Sequence, residues 1–256
     1  MKSLVPALLA TCAACSSADS PALDAGPGRD AARVDAADPP GDAPPAIDAA
    51  VTVPHTITLD GIDDFRADEQ FATTSAPSFV ARVTWDANNL YVGYGGPDLA
   101  TTAPDAGTKW LLVHVDTDPG AATGAASAET YNSQAASFPA GFGAEHYARW
   151  KVDGTLASLR SYSTGSWGDA AATLGAAQQQ TFVELAIPRT LLGASTTLGV
   201  VTFMINEKAL AEGTYAGLYA GSFTDGYSPA MPVTRYLRLD LAVPEPPNAA
   251  THEITP

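Results

Sequence analysis

The chain has 256 residues, with 28 Asp and Glu against 13 Lys and Arg, for a formal net charge of −15. That balance argues against nucleic acid and anionic lipid surfaces as partners, since both are met by basic patches. The only cysteines, Cys12 and Cys15, stand near the start, so the rest of the chain has no disulfide framework, thiolate zinc site or CxxCH haem attachment and must be held by its core.

Residues 1–15 read as an export signal: Lys2 supplies a positive charge, Val5–Ala10 a short apolar core, and small residues follow. The apolar run is too short to span a bilayer as a helix. A cysteine after small residues resembles the lipobox of bacterial lipoproteins, which implies lipidation. Cys15, preceded by Ala13-Ala14, fits the cleavage position; Cys12 has the better upstream leucine, Leu9, but Thr11 as its neighbour. An ordinary cleaved signal with incidental cysteines is the competing reading. Ser16, not aspartate, follows Cys15, which by the sorting behaviour of such lipoproteins implies the outer membrane of the cell envelope.

Residues 16–50 contain eleven Ala, seven Asp, six Pro and no aromatic residue. Such a segment cannot bury enough apolar surface to offset its ordering entropy, and its prolines break every helical window. It reads as a disordered tether, stiffened by proline and extended by like charge.

From Val51 onward about 200 residues remain, enough for one domain with its own core; the expected boundaries are 51–243 for the domain and 244–256 for a tail. Its charge is −11, from 21 acidic and 10 basic residues. Strand candidates recur at 56–59, 79–85, 90–95, 110–116, 146–152, 156–163, 181–187, 198–206 and 234–241. "VTWDANNLYVGYGG" (83–96) sets two alternating apolar runs about Asp86-Ala87-Asn88-Asn89, the pattern of a β-hairpin. Leu111, Val113 and Val115 alternate with Leu112, His114 and Asp116, as in antiparallel sheets packed on one face. Pro188-Arg189-Thr190-Leu191-Leu192, closed by Gly193, reads as one short helix. The fold class expected is an all-β antiparallel sandwich of jelly-roll or immunoglobulin-like type with that single helix. The small, polar stretch 120–145 reads either as a functional loop or as a floppy insertion.

In order, "ITLDGIDDF" (57–65), the hairpin, "KWLLVHVDTD" (109–118), "TFVELAIPRTLLG" (181–193), "LGVVTFMINE" (198–207) and "YLRLDL" (236–241) resemble the family 9 carbohydrate-binding modules and their DOMON-like β-sandwich relatives. The resemblance implies a non-catalytic module that binds a polysaccharide or oligosaccharide, its only membrane contact being a lipid anchor. In that family two aromatic rings clamp a terminal sugar. Trp110 falls where the first would lie and Tyr227 near the second, with Asn206, Glu207 and Arg149 placed to bond hydroxyls. Aromatic faces stack on the weakly apolar C–H faces of sugars, while charged and amide groups take their hydroxyls. Leu111 and Leu112 follow Trp110 where the family usually carries acidic residues.

The remaining candidates are weighed against plainer roles. Trp85 and Trp150 alternate with apolar neighbours and read as core; Trp110 reads as ligand platform or core. Trp167, between Gly165 and Gly168, reads as a loop-borne ring, exposed or lidding the sandwich. His55, His114, His146 and His252 fit no metal-ligand spacing. Asp116 and Asp118 offer oxygen ligands, so calcium is the one cofactor left open. No Ser-His-Asp order, nucleophile elbow or phosphate loop is present, and no Met/His pair singles out a haem site, so no enzyme is expected. The alternative function is a structural or protein-interaction sandwich of the envelope that binds no sugar.

Overall fold

The computed structural model describes residues 56–121 and 123–243, together with the backbone of 253–254. The signal, the tether, Cys12, Cys15 and most of the tail lie outside the described residues. The described residues form fifteen strands: β1 (Gln70–Ala72), β2 (Val80–Trp85), β3 (Asn89–Gly95), β4 (Lys109–Asp116), β5 (Ala136–Ser137), β6 (His146–Lys151), β7 (Ala157–Ser163), β8 (Ser166–Asp169), β9 (Gly175–Gln179), β10 (Phe182–Pro188), β11 (Thr197–Asn206), β12 (Gly213–Tyr215), β13 (Met231–Pro232), β14 (Tyr236–Asp240) and β15 (Glu253–Ile254). The fold is all-β.

One antiparallel sheet runs β1-β2-β3-β10-β9 and the other β15-β14-β11-β4-β6-β7-β8, with β12 also pairing β11. The hairpin forms where its alternation places it, Val83 opposite Val92 and Trp85 opposite Leu90. Its turn is held by one side chain, since the Asp86 carboxylate accepts from the amides of Asn88 (2.7 Å) and Asn89 (2.8 Å), the local bond that makes aspartate a turn former. The inward faces of the two sheets meet in the main core, where Val83, Trp85, Val92 and Leu185 from one sheet pack with Leu111, Val113, Leu159, Val200 and Leu237 from the other.

A second core lies on the outer face of the larger sheet. All eight residues of β4 are buried, because the alternate set Trp110, Leu112 and His114 is covered as well. The cover is 125–144, contributing Ala128, Tyr131, Ala136 and Phe142, and 223–233, contributing Phe223, Met231 and Val233. These two segments join by the short parallel pair β5–β13. The long polar stretch is therefore an ordered cap, and its small residues let the backbone lie close: a Cβ at Gly143 would fall 1.8 Å from the Thr123 carbonyl.

Two expectations are corrected. No helix forms at 188–193. Pro188 ends β10, and the amides of Leu191 and Leu192 bond back to Pro188 and Arg189 in two successive tight turns; Gly193, at φ +73°, ends them. Five residues are too few to offset the cost of nucleating a helix, and among the described residues the helical ones are single 3₁₀ turns at Ala67–Glu69, Pro97–Leu99 and Ala106–Thr108. Residues 56–59 are not a strand either. That segment folds across the smaller sheet, where Ile57 and Phe65 pack on Tyr91 and Ala186 and the amides of Asp60 and Gly61 donate to the buried Glu184 carboxylate.

Candidate binding site

Trp110 stands at the start of β4, opposite Ile205 on β11 and Lys151 on β6. Its indole Nε1–H donates to Glu207 Oε1 (2.9 Å), its ring meets Tyr131 at 5.5 Å, and Lys151 Nζ sits 5.4 Å from its centroid. Only 8% of the residue is exposed. Asn206 closes the adjacent strand, its side-chain oxygen accepting from Thr108 Oγ1 (2.9 Å) and the amide of Lys208 (3.0 Å). The fold therefore brings Trp110, Asn206 and Glu207 together at one end of the larger sheet.

The cap completes this end with residues that no sequence motif marked. Asn132 and Ser133 both take positive φ, 43° and 62°, in a two-residue hairpin turn between Tyr131 and Gln134. The turn carries Asn132 Nδ2 to the Glu207 carbonyl and to Glu212 Oε1, both at 3.0 Å. Gln134, fully buried, donates to the Asn206 carbonyl (2.9 Å), while its Oε1 has no partner. The Asn-Ser pair was a legible turn signal; its reach to Glu207, 75 residues away, was not.

Tyr227 lies on the far side of this corner. Register runs from Trp110 to Ile205, then Thr214 on β12, then Gly226, three strand spacings or about 14 Å between backbones. Tyr227 follows Gly226 and is 55% exposed. At the tip of the nearby β11–β12 connection Leu210 is wholly exposed at φ +67°. Arg149 lies on β6 opposite Leu112, partly exposed, with Nε donating to Ser158 Oγ (2.8 Å). It shares the outer face with Trp110 but joins the Glu207 cluster only through Tyr131, whose hydroxyl meets the guanidinium.

Asp116 and Asp118 converge with a third carboxylate, Glu145, close enough for the three to hold one metal ion. Asp116 is buried and accepts from the amides of Gly143 (2.9 Å) and Asp118 (2.9 Å); Thr123 Oγ1 bonds both Asp118 and Glu145. Burial pushes Asp116 up to about 6 against those amides, with the charges of Glu145 and Asp118 adding to the rise. Hard oxygen donors of this kind suit calcium. A pocket of about 420 Å³ adjoins them, lined by Thr123, Phe138, Phe142 and the glycines of the cap.

Trp85 and Trp150 are buried in the main core. Trp167, on β8, is half-buried and packs edge-on against Tyr147 at 4.8 Å, so it lids the outer core. His114 is fully buried there, stacked between Tyr147 (5.0 Å) and Phe203 (5.3 Å).

No protein-family model matches the chain, and no curated protein matches it. Among solved structures the chain is similar to a family 9 carbohydrate-binding module from Caldicellulosiruptor kristjanssonii, determined in complex with cellotriose. The two are 14% identical, with a TM-score of 0.37 over 64% of this chain and 80% of that one. The all-β assignment rests on this chain's own strand pairing.

Proposed function

We propose that this domain is a non-catalytic carbohydrate-binding module whose site is the corner of the larger sheet between Trp110 and Tyr227. The observation that carries the reading is a convergence. Amide and carboxylate groups of Asn132, Glu207 and Glu212 gather around a tryptophan whose N–H is already oriented, and the more than half exposed Tyr227 lies three strand spacings away at the same end of the sheet. Such a rim matches the alternating hydroxyls and C–H faces of a pyranose. One observation favours the second reading, an envelope module for structure or protein contact: Trp110 is 8% exposed, and its ring faces are occupied by Tyr131 and Lys151.

The readings separate on a glycan array followed by titration of the hits. On the sugar reading Tyr227→Ala remains folded, because more than half of the residue is in solvent, and weakens binding tenfold to hundredfold, about 1–3 kcal/mol. Trp110→Phe keeps the packing but loses the bond to Glu207, and weakens binding less. An array with no hits, or Tyr227→Ala binding as tightly as the parent, favours the second reading.

The same proposal includes delivery: the domain is displayed by an outer-membrane lipoprotein, with the lipid on Cys15 and residues 16–50 as tether. Intact-mass measurement of the native protein is expected to find a chain beginning at lipid-modified Cys15. An unmodified mature chain, or lipid on Cys12, overturns this part without touching the sugar site.

A further inference from the structure

On the outer face of the larger sheet, β6 and β7 place cations beside Trp110. β6 presents Lys151 opposite Trp110 and Arg149 opposite Leu112, and β7 adds Ser158 and Arg160 across from Arg149 and Tyr147. Most basic side chains near this corner are matched to carboxylates. Arg160 pairs with Glu129 (3.3 Å) and Asp169 (2.6 Å), Lys109 with Asp98 (2.9 Å), and Lys208 with Asp105 (2.5 Å). Arg149 is the exception: among the described residues its partners are two hydroxyls, of Ser158 and Tyr131, and no carboxylate. Lys151 is held loosely, 3.7 Å from Asp153.

In a chain with 28 acidic residues to 13 basic, a partly buried guanidinium without a counter-charge is costly to maintain, because neutral hydroxyls repay little of the water it has lost. An anion arriving there gains charge-assisted bonds, and a carboxylate matches the planar fork of arginine. Arg149 and Lys151 are two residues apart on one strand, about 6.7 Å, and point to the same face; one carboxylate can lie between them. Glu207 and Glu212 repel an anion from the opposite side of Trp110 and so fix the ligand's direction.

We propose that the sugar taken by this corner is a hexuronic acid residue, its carboxylate seated between Arg149 and Lys151 and its hydroxyls directed toward Asn132 and Glu207. This rests on the carbohydrate reading above. The domain's own charge of −11 disfavours long polyanions by general repulsion, so the preferred form is a single or terminal uronate on a neutral glycan.

The test is titration of the full mature chain with three probes: a neutral oligosaccharide ending in glucose, the matched oligosaccharide ending in glucuronic acid, and sodium acetate. The acid form is expected to bind about tenfold tighter than the neutral one, and acetate alone to give no comparable response. Arg149→Gln and Lys151→Gln, each checked for an unchanged melting curve, are expected to bring the acid-to-neutral ratio close to one. Arg149→Lys, which keeps the charge, retains part of it. Equal binding of the two oligosaccharides by the parent, or a preference that survives both glutamine variants, overturns the uronate inference and leaves the sugar site standing. Failure of both oligosaccharides to bind overturns the site itself, and acetate matching the acid oligosaccharide makes this an anion site with no sugar specificity.

Discussion

Trp85→Ala is expected to cost about 3–5 kcal/mol, the range for loss of a core tryptophan. The residue is 2% exposed and sits in the main core between the sheets, at the end of β2 opposite Leu90. The cluster it belongs to is drawn from paired strands of both sheets, so the void cannot be closed without moving them. Against a total stability of 5–15 kcal/mol typical of domains, the loss lowers the denaturant midpoint sharply and leaves some preparations largely unfolded. Tyr227→Ala, with 55% of the residue already in solvent, is the matched control and leaves the midpoint nearly unchanged. Equal midpoints for Trp85→Ala and the parent would mean that the two sheets are not held together at this position.

The second large effect is acid destabilisation through His114. Its ring is fully buried, stacked between Tyr147 and Phe203 and flanked by Phe138 at 5.0 Å. Neither nitrogen has a well-formed hydrogen-bond partner. Burial holds the imidazole down to about 3 from its ordinary 6.5, and the backbone at Val201 opposes this only in part. The unfolded chain therefore takes up a proton between pH 6.5 and 3 that the folded chain refuses. Stability is intact above 6.5 and falls by about 1.4 kcal/mol per pH unit below it, about 5 kcal/mol in all from this group. Asp116 acts in the other direction. Its folded value of about 6 lies above the ordinary 3.8, so stability rises as pH falls through that interval, by about 3 kcal/mol.

The two effects nearly cancel from pH 6 to 3.8, and the net loss falls in the windows 6.5–6 and 3.8–3. His146, also lowered by burial, adds to the acid loss, and Glu184, raised by burial, subtracts from it. The difference between parent and His114→Leu isolates the histidine, since the other groups are common to both. Denaturant unfolding across pH 7 to 3.5, with a chelator present so that no ion loads the Asp116 carboxylate, is expected to show the variant gaining on the parent by about 1.4 kcal/mol per unit below 6.5. A pH-independent difference would mean that His114 is neutral in the unfolded state or charged in the folded one.

The strands that alternate strongly were legible because period-two apolarity is a local property: β2, β3, β4, β6, β10 and β11 lie within a residue or two of where the sequence puts them. The strands it hides are short or weakly apolar. "GAAQQ" forms β9 only because β10 offers an edge to pair with, and β5 and β13 find each other across 95 residues. The proline-glycine signal at 188–193 failed for the converse reason, since both residues serve a turn as well as they serve a helix end.

Composition and pattern alone determine that this chain is acidic, free of cysteine beyond its start and built of antiparallel strands; that Trp110, Asn206 and Glu207 share one site is what the family resemblance implies. Only the tertiary structure decides that 125–144 is a cap, that the cap buries Trp110, and that Asn132, Gln134 and Glu212 join the corner while Glu145 joins Asp116 and Asp118. The reason is range. Strand formation follows from the spacing of apolar residues a few positions apart, whereas the exposure of a ring and the partners of a carboxylate depend on chain segments 20 to 100 residues away, which no local pattern encodes.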